Sequence, residues 1–163
     1  MSGMRVGQGV DAHRLVAGRP LRLGGIEVPF ERGLEGHSDG DVLLHAVASA
    51  LLGAIGAGDL GTHFPSSDPR WHGVASSDLL ADVMERVRAG GFAIGNVDAT
   101  VIAQVPRLAP FRDAMVRGVA RALDVDPARV SVKVTSTDGL GAIGRGDGIA
   151  AQAVVLLEAA GAP

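Results

Sequence analysis

The sequence predicts an α+β (α/β mixed) fold: a single domain over residues 1–163, with one mixed four- to five-stranded sheet covered by helices. Three observations predict it. A length of 163 residues suits one domain. Strand-period and helix-period segments follow one another in the order strand, hairpin, helix, helix, strand, helix, strand, strand. Glycines fall between these segments, at Gly24-Gly25, Gly56 to Gly61, Gly90-Gly91 and Gly139 to Gly148, rather than in a linker.

Residues 4–13 read as a strand punctuated by glycine. Leu21-Arg22-Leu23 and Ile26-Glu27-Val28 flank Gly24-Gly25 and read as a hairpin. Pro29 and Gly33 open a loop that runs to His37. Ser38 is positioned to cap a helix, with Asp41 three residues later as the reciprocal acid. Val42, Leu44, Val47, Leu51, Leu52 and Ile55 form its apolar stripe, and Gly56 and Gly58 end it. Residues 59–75 read as loop. Ser76 or Ser77 caps a second helix that buries Leu79, Leu80, Val83 and Val87 and stops at Gly90-Gly91. A strand over 96–103, a helix over 106–123 and a strand over 130–135 follow. After a Gly-rich loop, residues 148–157 are apolar on both alternating faces, which predicts a central strand or one covered twice.

Composition excludes several classes. Hydrophobic residues make up 47% of the chain and aromatics only 3%, with Trp71 alone of its kind and no Tyr. The core is therefore built from Ala, Val, Leu and Ile, and oligomerisation would add burial. A net charge of −3 with scattered basic residues gives no nucleic-acid footprint. Cysteine is absent, so disulfides and thiolate metal sites are excluded. No apolar run reaches about 18 residues, and Met1-Ser2-Gly3-Met4-Arg5 has no signal-peptide character, which leaves a cytoplasmic location as the expectation.

Asp11 and His13 stand at i and i+2, on one face of a strand, and make a two-ligand clip for a divalent metal. Taken alone, the pair fits a surface Asp beside a hydrogen-bonded His at a strand end better than a metal clip. The segment from Gly36 to His45 adds to it. Its glycines and acids sit at a helix start, and His45 follows Asp41 by four residues on the same helical face. If that face meets the end of the first strand, Asp11, His13 and His45 give two imidazoles and one carboxylate. That set suits zinc with a fourth position open. Asp59-Leu60-Gly61 fits either a helix-exit loop or a polyol-holding loop. Thr135-Ser136-Thr137-Asp138 with Gly139-Leu140-Gly141 fits either a phosphate and its metal or a turn with capping hydroxyls. Arg145 supplies a bidentate phosphate donor. Pro106 reads only as a proline at a helix start.

These segments, from Arg5 to about Leu157, resemble the 2-C-methyl-D-erythritol 2,4-cyclodiphosphate synthase family of the non-mevalonate isoprenoid pathway. The most specific pieces are Gly9-Val10-Asp11-Ala12-His13, His37-Ser38-Asp39-Gly40-Asp41 through His45, Gly58-Asp59-Leu60-Gly61 and Gly144-Arg145-Gly146. The resemblance implies a chorismate-mutase-like homotrimer with active sites between subunits. It implies cyclisation of 4-diphosphocytidyl-2-C-methyl-D-erythritol 2-phosphate with release of CMP, by a metal-dependent phosphorus–oxygen lyase. Zinc or a similar divalent metal would be held by Asp11, His13 and His45. Magnesium or manganese would sit on the substrate diphosphate with help from Asp138. His37 and Ser136 match positions of transition-state stabilisation.

Substrate contacts implied by the resemblance fall in four groups. Asp11, Ala12 and His13 form the first. His37, Ser38, Asp59, Leu60, Gly61, Phe64, Pro65, Ser66, Ser67 and Asp68 match the sugar-alcohol and phosphate contacts. Ala103, Gln104, Val105, Pro106, Arg107, Leu108 and Ala109, with Thr135, Ser136, Thr137 and Asp138, match the cytidine and phosphate pocket. Ala142 and Arg145 complete the set, Arg145 as a phosphate contact. The chain departs from the family pattern where Asp138 replaces a common Glu, Gly139 a frequent Lys, Ala142 a frequent aromatic, Ser66 a frequent Asp, Arg107 a Lys and Val10 a frequent Phe. Two other readings use the same residues: a metal-dependent phosphohydrolase, and a trimeric binding protein that holds CDP or CMP without turnover.

Overall fold

In the computed structural model, which describes residues 3–161, the first strand β1 runs Arg5–Ala17, beyond its expected end at His13. Residues 1, 2, 162 and 163 lie outside the described residues, and with them the ends of the expected 1–163 domain and the start of the N-terminal segment read above. The extra length of β1 has a partner. After β2 (Leu21–Leu23) and β3 (Ile26–Val28), a short strand β4 (Arg32–Leu34) pairs antiparallel with Leu15–Ala17. Three residues centred on Gly33 carry no readable alternation, so the sequence shows a loop there.

Helix α1 spans Val42–Ile55 and ends at Gly56 in the left-handed region, φ 69°. Its cap is Asp41, whose side chain accepts from the Leu44 amide, and not Ser38. The expected loop 59–75 holds a turn of helix, α2 (Leu60–His63), and a 3₁₀ turn, Pro69–Trp71. Asp59 and Asp68 cap these through their side chains, a pattern too short to show as apolar periodicity. Helix α3 (Ser76–Ala89) starts from Ala75 with no side-chain cap, so neither Ser76 nor Ser77 plays the expected role.

Strand β5 (Phe92–Ile102) begins earlier than expected, and Ala103 lies just past it. Residues 103–108 are loop with a cis Val105–Pro106 peptide, and Ala109–Phe111 is a 3₁₀ turn. Helix α4 therefore covers only Arg112–Leu123 of the expected 106–123. Strand β6 (Val130–Thr135) falls where expected. The Gly-rich loop contains one turn of helix, α5 (Gly141–Gly144), before β7 (Gly148–Ala159).

The main sheet has the order β4-β1-β7-β5-β6, with β5 and β6 parallel and the other pairs antiparallel. It is a mixed five-stranded sheet, as the sequence predicts, and α4 provides the crossover that a parallel pair requires. β7 is central. Ile149, Ala151, Ala153, Val155 and Leu157 are fully buried on its inner face with Leu43, Leu44, Leu51 and Leu52 of α1. Each buried Leu is worth about 1.5–3 kcal/mol relative to exposure. The second face of β7 is not covered within the chain: Gln152 and Val154 are exposed beside Val6 and Val10 of β1. Among the described residues no helix is long and apolar enough to cross a membrane.

Candidate metal centre and active site

Alternate residues of β1 face α1. Gly7 and Gly9 occupy that face, and the helix lies so close that a Cβ at Gly9 would meet the Ala46 carbonyl oxygen at 2.1 Å. Asp11 and His13 continue the same face, as the i, i+2 spacing predicts. Ahead of α1, Asp41 is fully buried and accepts from the amides of Gly24 (2.9 Å), Gly25 (2.7 Å) and Leu44 (3.0 Å). Burial pushes its carboxyl up, and the three amides oppose that shift. Asp41 thus ties the start of α1 to the β2–β3 turn, and His45, one turn later, lands on the end of β1.

His13 Nε2 lies 2.7 Å from Asp11 Oδ2 and 3.1 Å from His45 Nδ1, and His45 Nδ1 lies 3.0 Å from the same Oδ2. All three side chains are partly buried. Burial pushes the Asp11 carboxyl up, but the hydrogen bonds and charge of His13 and His45 outweigh it and hold the group well below the usual carboxylate range. Burial lowers His13, but the bond to Asp11, the Asp11 charge and the Glu35 backbone together outweigh it, so its pKa stands above the ordinary 6.5. A tetrahedral zinc with ligands at about 2.0–2.2 Å places them about 3.3 Å apart. The donors fit that ion once the cluster opens by a few tenths of an ångström. Among the described residues these three form the group of His and carboxylate side chains close enough to share a metal.

A cavity of about 240 Å³ opens over the cluster. Its walls bring together the expected residues Asp11, His13, His37, Ser38, His45, Leu60, Gly61, Phe64, Ser66 and Asp68. Trp71 and Leu79, which sequence reasoning passed over, complete it; Trp71 meets Phe64 edge-on with ring centroids 4.9 Å apart. On the other side of His13, a second cavity of about 540 Å³ gathers Ala12, Ala142 and Arg145 with Arg14 and Arg32. Arg145 is paired there with Asp147 at 3.0 Å. A third, of about 230 Å³, is formed by Ala103, Gln104, Pro106, Arg107, Leu108 and Ala109 with Thr135 and Ser136.

Some expected residues stand outside these walls. Asp59 spends its carboxylate on the amide and hydroxyl of Thr62, both at 2.8 Å. Pro65 and Ser67 belong to the loop between Phe64 and Asp68, and Val105 packs against the core. Thr137 donates to the Leu140 carbonyl. Asp138 is not part of the Asp11–His13–His45 group; its Oδ1 accepts from Ser136 Oγ at 3.1 Å, and the next amide, Gly139 N–H, donates to Gln104 Oε1 at 3.0 Å.

Sequence reasoning also missed Asp39 and Ser76 as site residues. His45 Nε2 lies 2.9 Å from Ser76 Oγ and 3.0 Å from Ser38 Oγ, and the Ser76 hydroxyl donates to Asp39 Oδ1. Asp39 stands in a quoted motif, but nothing in the sequence brings Ser76 to His45 across 31 residues.

Fold and centre together define a class: a small α+β protein whose sheet end and helix present two histidines and a carboxylate, a divalent-metal donor set, to an open cavity. The particular family follows from comparison. The YgbB family model matches residues 4–158. The chain is 56% identical over 154 residues to the 2-C-methyl-D-erythritol 2,4-cyclodiphosphate synthase of Geobacillus kaustophilus, covering 94% of this chain and 98% of that one. It is 59% identical over 155 residues to the protein of that name from Alkalilimnicola ehrlichii, covering 94% of each. A Plasmodium falciparum IspF solved as a CDP complex superimposes with a TM-score of 0.86 at 32% identity over 99% of both chains. The bifunctional IspDF of Campylobacter jejuni superimposes with a TM-score of 0.93 at 40% identity over 98% of this chain, which spans 43% of that longer one. The chain belongs to the YgbB family.

Proposed function

We propose that this protein is a 2-C-methyl-D-erythritol 2,4-cyclodiphosphate synthase. It converts 4-diphosphocytidyl-2-C-methyl-D-erythritol 2-phosphate to the 2,4-cyclodiphosphate and releases CMP. The observation that carries the reading is the convergence of Asp11, His13 and His45 at the floor of a cavity, in a chain that matches synthases of that name along most of its length.

The reaction is an intramolecular phosphoryl transfer. A phosphate oxygen, already an anion at neutral pH, attacks the β-phosphorus; the bond from that phosphorus to the oxygen bridging it to the α-phosphorus breaks, and CMP leaves with that oxygen. The protein's work is to fold the substrate back on itself, and positioning of this kind lowers a barrier by about 7–11 kcal/mol. Asp11, His13 and His45 would hold zinc, which supplies positive charge for the terminal phosphate. Asp138 would assist a magnesium or manganese ion on the diphosphate. His37 and Ser136 are assigned to stabilising the transition state, and Arg145 to a phosphate. The loop from Asp59 to Asp68 receives the methylerythritol. The cavity of Ala103 to Ala109 with Thr135 and Ser136 is of a size for the cytosine ring and ribose. The uncovered apolar strip of Val6, Val10 and Val154 supports a homotrimer packed through the sheet, with active sites at the subunit boundaries. A cytoplasmic location goes with this reading.

The test is to incubate purified protein with the CDP-linked substrate and magnesium and follow phosphorus NMR. Equal amounts of cyclic diphosphate and CMP are expected. Release of inorganic phosphate would make the protein a phosphohydrolase, and retention of CDP or CMP without turnover would make it a binding protein.

A further inference from the structure

We infer that Ser76, clamped by Asp39, is a positioning residue for the metal centre: it takes the Nε2–H of His45 and so reserves Nδ1 for the metal. The inference rests on the reading of Asp11, His13 and His45 as metal ligands.

Asp39 engages Ser76 through both oxygens: Oδ2 accepts from the Ser76 amide at 3.2 Å, and Oδ1 accepts from the Ser76 hydroxyl. An ionised carboxylate only accepts, so the hydroxyl proton is committed to Asp39. The lone pairs of Ser76 Oγ are then what face His45 Nε2 at 2.9 Å, and Nε2 must be the donor. A neutral imidazole protonated at Nε2 carries its lone pair at Nδ1. That lone pair points at Asp11 Oδ2, 3.0 Å away, which is itself an acceptor. Two acceptors in contact need a positive centre between them, which in metal-free protein is a proton shared with His13 Nε2, 3.1 Å from Nδ1, and in loaded protein the metal.

His13 is arranged in the same way, with its bond to the Glu35 backbone on one side and the cluster on the other. Ser38 Oγ also reaches His45 Nε2, at 3.0 Å, but its other contacts are longer, the Gly40 amide at 3.3 Å and Ser76 Oγ at 3.4 Å, no carboxylate holds its proton, and it borders the cavity. Ser76 is 1% exposed and does not border it. Of the two hydroxyls, Ser76 is the one fixed in orientation. Partners of this kind set the tautomer of a metal-ligating histidine and change metal affinity by about 10–100-fold when lost.

The test uses zinc-loaded protein and a chromogenic chelator. Ser76→Ala is expected to raise the zinc Kd by about 10–100-fold, and Ser76→Thr, which keeps the hydroxyl, to restore most of it. Asp39→Asn is expected to weaken zinc in the same direction. Combined with Ser76→Ala it should add little, because the two act through one contact. In 1H–15N spectra the His45 Nε2–H signal, sharp and protected in the parent, should exchange with water in Ser76→Ala. If Ser76→Ala does not fold, Asp39→Asn and the parent's His45 signal decide the matter. A parent with zinc bound through Nδ1 but an unprotected Nε2–H overturns the inference. So does zinc affinity that neither substitution alters. A parent that binds no zinc overturns the metal-centre reading and the inference with it.

Discussion

Gly9 and Ala46 bring β1 and α1 into backbone contact: a Cβ on Gly9 would sit 2.1 Å from the Ala46 carbonyl oxygen. Gly7 and Ala50 repeat the relationship one turn on, at 1.9 Å. The consequence is functional, because Asp11 is two residues beyond Gly9 and His45 is the neighbour of Ala46. Gly9→Ala forces strand and helix apart where neither side is a flexible side chain. Overpacking of this kind costs about 1–3 kcal/mol. The expected outcome is a lower melting temperature together with weaker zinc binding in a metal titration. Unchanged zinc affinity in a folded Gly9→Ala protein would show that the helix spacing does not set the centre.

Asp41 is fully buried and holds three amides. Asp41→Ala orphans all three, and each unsatisfied buried group costs about 1–3 kcal/mol. Urea denaturation should show a loss of about 3 kcal/mol or more. Asp41→Asn, which keeps one accepting oxygen, should lose less. If both variants match the parent, the tie between the β2–β3 turn and α1 is dispensable.

Much of this was legible in the sequence, for reasons that differ between elements. α1 and β7 carry long apolar patterns, and both lie close to where those patterns place them. Asp11 and His13 share a face because a strand repeats every second residue, which is a local rule. β4, α2 and α5 were hidden because three or four residues, two of them glycines in α5, carry no periodicity. The caps differ from the sequence pattern for another reason. Ser38 and Ser76 have the composition of helix caps, but their hydroxyls face His45, and a tertiary contact overrode the local preference. No pattern within 10 or 15 residues announces such a contact.

The protonation of the cluster gives a pH dependence with a definite sign. His13 has a folded pKa above its ordinary 6.5, so in metal-free protein its contribution is complete below about 6.5 and is lost as pH rises through the raised value. Asp11 is depressed, so its contribution is present above the ordinary 3.8 and is lost only as pH falls through the depressed value. Zinc needs His13 without its proton. The melting temperature gained on adding zinc to chelator-treated protein should therefore be larger at alkaline pH than near the acid side of 6.5. A gain that shrinks as pH rises would contradict the assignment of His13 as a ligand.

Asp138 offers a way to separate the two proposed metal sites. It sits in the left-handed region at φ 51°, a conformation Asp tolerates because its short side chain bonds locally, here with Ser136 Oγ accepting from the Asp138 amide and donating to Oδ1. A Glu at this position would keep the charge and the amide's bond to Ser136, and would change only the side-chain contact to Ser136 Oγ. The carboxylate lies outside the Asp11–His13–His45 group. Asp138→Ala should then leave zinc content at one equivalent per chain. The magnesium concentration that gives half-maximal CMP release should rise by about tenfold or more, on the scale by which lost ligands and their partners weaken metal sites. Metal analysis and a magnesium titration of the same preparation read the two effects separately. A variant whose magnesium dependence matches the parent's removes Asp138 from the diphosphate's ion, and a variant that loses zinc instead makes the turn after β6 part of the first centre.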